Sequence, residues 1–144
     1  MSRLRVLGNC FDVLRVVADI HERASGVPRL LGELGVAVET RRLWAGDYEV
    51  GERAIVERKT VRGLHAAIIQ GTFWPQLGQL RAGARFTYVL IEGKDLDDGP
   101  LTEVAIRGVC VAFMDLGVHV VRSTGPKDFA LWLQRIGDRR TQVR

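Results

Sequence analysis

Gly46-Asp47-Tyr48-Glu49-Val50-Gly51-Glu52-Arg53-Ala54-Ile55-Val56-Glu57-Arg58-Lys59 is the stretch whose reading decides the fold. It predicts two short strands around a turn. Tyr48 to Val50 run out, Gly51 to Arg53 carry the turn signals, and Ala54 to Lys59 run back. Side chains two apart on a strand share a face. Ile55, Glu57 and Lys59 therefore point one way, and Val56 and Arg58 the other. With the turn centred on Glu52, Asp47 falls opposite Glu57 on one face. Opposed Cβ atoms lie about 5 Å apart, so two carboxylates can share one metal ion at roughly 2.1 Å per oxygen. Lys59 follows one step along that face.

An acid, a second acid and a lysine are the set that phosphodiester hydrolysis needs. Carboxylates hold Mg²⁺, with Mn²⁺ able to substitute. The metal polarises the phosphate and acidifies a bound water, and the lysine orients that water or stabilises developing charge. Two carboxylates this close repel unless a cation lies between them. By spacing alone, the same residues also suit a solvated hairpin with Glu–Lys pairing.

Working outward, Val13 to Ile20 is a nearly continuous apolar, β-branched run, suited to a buried central strand that ends at Asp19. Residues 3–11 read as an edge strand. Pro28 suits the first turn of a helix through Leu30, Leu31 and Leu34 that stops near Gly35. Val36 to Trp44 predicts a strand. Thr60 is placed to cap a helix with Ala66, Ala67, Ile68 and Ile69 on its apolar side. A helix from Pro75 to Arg81 carries Gln76. Phe86 to Gly93 predicts a strand, and Leu101 to Leu116 a helix with Val104, Ile106, Val109, Val111, Ala112 and Met114 as its apolar positions. Gly117 marks its end. Val118 to Val121 predicts a last strand. Pro126 opens a helix with Phe129, Leu131, Trp132, Leu133 and Ile136 on its apolar side. The helix then runs into Arg135, Arg139 and Arg140, a basic end that suits either DNA phosphates or a frayed, solvated terminus. Strands alternate with helices, so the fold class is α/β.

Gly46-Asp47-Tyr48 followed by Val56-Glu57-Arg58-Lys59 resembles the signature of the XPF/Hef family of structure-specific DNA endonucleases, within the PD-(D/E)XK class. Three further segments resemble that family in the same order. Asp19-Ile20-His21-Glu22, then Ser25-Gly26-Val27-Pro28, matches its first motif, with His21 where arginine is usual and Arg23 beside it. Gly71, Phe73 and Gln76 match a later one, with Thr72 in place of an arginine, and Ile91-Glu92-Gly93 recurs. The family's aspartate four after the lysine is Gly63 here. The resemblance covers roughly residues 13–136. It implies a restriction-endonuclease-like mixed central sheet with helices on both faces, and metal-dependent cleavage of DNA near branches, flaps or forks. Asp47 and Glu57 are the implied metal acids, helped by Asp19. Lys59 positions the attacking water, Arg58 takes a supporting ion-pair role, and Glu22 and Gln76 support the site. It also implies pairing of nuclease domains, as homodimer or heterodimer, for which Trp132 marks a candidate seam. No tandem helix-hairpin-helix domain follows, so residues 1–144 read as one bare nuclease domain. Gly63, Thr72 and His21 favour a second reading, an inactive module that binds DNA or supports an active partner. A restriction-type nuclease, or one for another nucleic acid, shares the same metal chemistry.

Composition agrees with these readings and adds little. The chain has 144 residues, 47% hydrophobic and 26% charged, an ordinary globular balance. Net charge is +4, which permits a nucleic-acid partner. Lysine occurs only at 59, 94 and 127, so its presence in the Glu-Arg-Lys triplet favours a role for Lys59. His21 and His65 read as ordinary polar residues. Cys10 and Cys110 make neither a disulfide framework nor a zinc site and read as buried thiols. No apolar run approaches the length of about 18 residues that a membrane span needs, and Met-Ser-Arg-Leu-Arg lacks a signal peptide's apolar core. The expected compartment is the reducing cytoplasm, at the nucleoid in a bacterial or archaeal cell, with no membrane partner.

Overall fold

The computed structural model describes residues 6–7 and 12–141. The chain enters through a small antiparallel ribbon, β1 (Val6–Leu7) against β2 (Asp12–Val13). The expected edge strand over residues 3–11 is thus seen only at Val6–Leu7. Residues 3–5 and 8–11, Cys10 among them, lie outside the described residues.

β3 (Arg15–Asp19) leads through a 3-10 helix (Ile20–Ser25) into α1 (Val27–Glu33). Then come β4 (Ala37–Arg41), β5 (Tyr48–Val50), β6 (Ala54–Thr60), α2 (Val61–Gln70) and α3 (Phe73–Gly83). β7 (Phe86–Glu92), α4 (Glu103–Asp115), β8 (His119–Ser123) and α5 (Pro126–Arg140) complete the order. The strands form one six-stranded sheet in the order β4-β3-β5-β6-β7-β8. β3 runs parallel to β4 and antiparallel to β5, β5 and β6 form the hairpin, and β6, β7 and β8 are parallel. The hairpin has the register that its turn predicts, with Tyr48 opposite Val56 and Val50 opposite Ala54.

α1 and α5 cover one face of this mixed sheet, and α2, α3 and α4 the other. The first core packs Leu14, Val16, Tyr48, Val56, Phe129 and Leu133. The second packs Ile55, Leu64, Phe73, Val89, Ile106 and Phe113. Val56 and Ile55 thus serve opposite cores from adjacent positions, which is why this part of β6 is apolar without a break.

Three helices bury a different stripe from the one expected. On α2 the buried residues are Val61, Leu64, His65 and Ala67, whereas Ala66 is exposed and Ile69 is 57% exposed. Helical period puts Val61, Leu64 and His65 (i, i+3, i+4) on the covered side and turns Ala66 and Ile69 outward. His65 is a satisfied core residue: Nδ1 accepts the Leu101 N–H at 3.1 Å and Nε2 lies 2.9 Å from the Leu96 carbonyl oxygen. On α4, Ile106 and Phe113 are buried, but Val104, Val111 and Met114 are exposed, because this helix lies beside the edge strand β8. Cys110 on α4 is half-buried, and burial raises its thiol pKa. On α5 the buried stripe is Phe129, Ala130, Leu133, Ile136 and Gly137, with Leu131 and Trp132 on the open side. The basic end of α5 is anchored rather than frayed. The Arg140 guanidinium carbon stands 3.9 Å from the centroid of the Phe86 ring, and Arg135 pairs with Asp138.

Candidate active site

The hairpin strands, the end of β3 and the N-terminal half of α3 bring the candidate residues together. Gly46 makes the entry possible. Its φ is 78°, and a Cβ there would stand 2.4 Å from Ile55 Cγ2, so the chain can press onto β6 only with glycine at this position. Asp47 then leaves the regular ladder. Its N–H donates to the Val56 carbonyl at 3.0 Å, its own carbonyl accepts the Asp19 N–H at 2.8 Å, and its Oδ2 accepts the Arg58 N–H at 2.8 Å. The carboxylate has taken the place of a backbone acceptor, which sets it against β6 beside Glu57.

The carboxyls of Asp47 and Glu57 interact directly. Glu57 is 3% exposed. Burial first, then the negative charge of Asp47, pushes its pKa up to about 8. Burial also raises Asp47, against the pull of the Arg58 N–H. Gln76 on α3 donates to Glu57 Oε2 at 2.7 Å. Lys59 Nζ lies 3.6 Å from the same oxygen and sits over the Phe73 ring. Glu57 Oε1 is buried with no hydrogen-bond partner among the described residues. Buried polar atoms without partners are rare in native proteins, and an oxygen in that state is an acceptor waiting for a proton or a cation.

Asp19, the expected third acid, ends β3 beside this pair, and its charge reaches Asp47. Its oxygens are already engaged. Oδ1 accepts the Leu43 N–H at 2.8 Å, while Oδ2 accepts the His21 N–H at 3.0 Å and contacts His21 Nδ1 at 2.7 Å. Burial works against its ionisation, but those donors together hold its pKa below the usual carboxylate value. Asp19 thereby caps the 3-10 helix and ties the Leu43 loop down. Among the described residues, no group of three or more His, Cys, Asp or Glu is placed to hold an ion by itself.

Glu22 and Arg58 occupy the other face of β6. Arg58 donates to Glu92 through Nε at 3.1 Å and Nη2 at 2.6 Å, and its Nη1 is 3.9 Å from Glu22. Tyr48 donates its hydroxyl to Glu22. Burial raises the Glu22 pKa, and burial with that hydrogen bond raises Tyr48. The alternation of β6 predicts this separation: Glu57 and Lys59 on one side, Arg58 in an ion pair on the other. Glu92 is the partner that residue spacing does not reveal; its signals were its position at the end of a predicted strand and the recurring Ile91-Glu92-Gly93 segment. Five carboxylates (Asp19, Glu22, Asp47, Glu57, Glu92) gather at this end of the sheet against Arg58, Lys59 and His21, so its electrostatics favour a cation.

Gly63, in place of the expected aspartate, is in the first turn of α2. Its N–H donates to the capping hydroxyl of Thr60 at 3.0 Å, and a Cβ would stand 2.8 Å from that oxygen. An aspartate there requires the cap to shift.

A model of the ERCC4 domain matches residues 18–136. The chain belongs to the ERCC4-domain family. This ERCC4 domain is 36% identical over 130 residues to the 3′-flap repair endonuclease Xpf of Saccharolobus solfataricus, covering 88% of this chain and 56% of that protein. XPF from Aeropyrum pernix superposes with a TM-score of 0.76 at 28% identity, over 85% of this chain and 63% of that one. The same protein in complex with DNA gives a TM-score of 0.77 at 28% identity, over 86% and 63%. The chain therefore spans little more than half of the flap endonuclease and less than two thirds of the solved chains. The family and the mixed-sheet fold implied by the motifs are those found. No helix among the described residues is long and apolar enough to cross a membrane.

Proposed function

We propose that this ERCC4 domain is a metal-dependent DNA endonuclease that hydrolyses phosphodiester bonds at Asp47, Glu57 and Lys59, near branches, flaps or forks. The observation that carries the reading is Glu57 itself: buried, pressed against a second carboxyl, and left with an unpartnered oxygen. A purely structural carboxylate at that depth is expected to have donors on both oxygens. The all-oxygen donor set fits Mg²⁺, with Mn²⁺ able to substitute. Mg²⁺ is held by one or two carboxylates with water and substrate phosphate around it, which is what Asp47 and Glu57 offer. Asp47 and Glu57 would hold it, with Asp19 adding negative charge beside them. When bound, such an ion polarises a phosphate and acidifies water. The chain's own part is to keep the pair in place. Gln76 fixes Glu57, the Arg58 N–H fixes Asp47, and Lys59 presents an ammonium where an attacking water or a developing negative charge would lie.

The branched-DNA preference rests on the relatives, one of which is named a 3′-flap endonuclease and another solved with DNA. Pairing with a second such domain, identical or not, would cover Leu131 and Trp132, which α5 leaves on its open side.

The test is a cleavage panel. Labelled duplex, single-strand, flap and fork DNAs are incubated with Mg²⁺ or Mn²⁺ and either the protein or Asp47→Ala. Cuts near the branch that vanish in the variant are expected. No cuts on any substrate, with DNA binding kept, would assign the chain to a scaffold that supports an active partner.

A further inference from the structure

The end of the sheet away from the acidic pair carries the opposite charge. There the Arg53 carbonyl accepts the Arg85 and Phe86 N–H groups, at 2.9 and 3.1 Å. The Phe86 ring is flanked by Arg85 and Arg140, whose guanidinium carbons lie 5.2 and 3.9 Å from its centroid. Beside them a cleft of about 470 Å³ opens between the last turns of α3 and α4. Arg81 and Arg85 line it, with Thr87, Gly78, Leu116 and Gly117, and no lining residue is a carboxylate. Both arginines are exposed, and neither has an ion-pair partner among the described residues. Two other exposed arginines, Arg62 and Arg107, are instead held two-pronged by Asp98 and Asp97.

Two helix C-termini also face this cleft, each worth roughly half a negative charge. Two full guanidinium charges outweigh them by about one unit, so the cleft remains a site for anions. Guanidinium groups favour phosphate, whose oxygens match their paired donors. Arg53, at this end of the sheet, precedes Glu57 by four residues, about 13 Å along the strand. That is the length of roughly four nucleotides along the duplex axis.

We propose that the Arg81–Arg85 cleft is a second DNA contact, one that grips backbone phosphates of the substrate a few nucleotides from the bond to be cut. This rests on the proposed nuclease reading. It adds a phosphate site at which no base is read, since arginine–phosphate contacts fix register rather than sequence.

The experiment measures binding of labelled duplex DNA by anisotropy in EDTA, where nothing is cut, over about 50–200 mM salt. Each lost phosphate contact lowers the slope of log K against log salt by about 0.9. Arg81→Ala/Arg85→Ala is expected to bind several-fold more weakly, with a slope shallower by about 1.8. Arg81→Lys/Arg85→Lys should recover most of that slope, which excludes a folding defect. The paired-arginine control Arg62→Ala/Arg107→Ala should match wild type. An unchanged slope in the first variant overturns the proposal. So does binding of a polyglutamate peptide that the first variant loses while its DNA slope is kept, since that would assign the cleft to an acidic protein. Wild type that neither binds nor cuts DNA contradicts both this inference and the nuclease reading. Wild type that cuts, with an unchanged slope in the variant, contradicts this inference alone.

Discussion

Lys59→Ala is expected to slow DNA cleavage by at least ~10²-fold and to leave DNA affinity within about twofold. Lys59 shares the face of β6 with Glu57, and its Nζ lies 3.6 Å from Glu57 Oε2. The Phe73 ring beneath it holds the side chain in that position, where it stays 23% exposed and within reach of a substrate. A single exposed ammonium adds little to an extended DNA contact, but one fixed beside the reacting phosphate acts where charge develops. Lys59 also draws the Glu57 pKa down, so its removal lets a proton compete better with a cation at Glu57. Single-turnover rates at saturating Mg²⁺ separate the two effects. A rate that recovers fully at high metal would reduce Lys59 to a metal-site neighbour, and undiminished cleavage at low metal would remove it from the mechanism.

Arg58→Ala is expected to destabilise the domain by ~3 kcal/mol. Its guanidinium binds both oxygens of Glu92 and lies 3.9 Å from Glu22, and each of those side chains is only 12% exposed. Removing the arginine leaves two neighbouring carboxylates partly buried without a cation, a larger cost than the pair itself was worth. A fall in Tm of about 6–12 °C follows for a domain of this size. The double variant Arg58→Met/Glu92→Gln should recover part of that loss, because it removes a charge along with its partner. A Tm within about 2 °C of wild type for Arg58→Ala would show the network to be structurally idle. Arg58 would then have to act on the substrate instead.

The site was legible where its geometry is local. A turn of known length sets the register of the hairpin, and strand period puts Glu57 with Lys59 and Arg58 opposite them. Thr60 and Pro28 announce helix starts through backbone chemistry that needs no tertiary partner. What the sequence could not show is set by distant chain. Glu92 meets Arg58 from 34 residues away, and Gln76, which only the family resemblance brought to the site, meets Glu57 from 19. The Leu43 N–H takes up the Asp19 oxygen that capping leaves free. Nor does periodicity tell a covered helix face from an open one. The apolar residues of α4 lie all round its surface, and only its place beside the edge strand β8 decides that Val104, Val111 and Met114 stay exposed. The crossover that puts β3 between β4 and β5 has no sequence signature at all.

The central claim is that Asp47 and Glu57 are a cation site, and calorimetric titration with Mn²⁺ tests it most directly. Burial and the neighbouring charge raise the Glu57 pKa to about 8, so below that pH a proton occupies the place of the ion. A metal needs the ionised form, so affinity rises with pH through this range, and binding near neutrality releases protons that buffers of different ionisation enthalpy will count. Mn²⁺ binding with proton release is expected in wild type, and loss of binding in Asp47→Asn. Equal Mn²⁺ affinity in both proteins, or no binding at either end of the pH range, would contradict it.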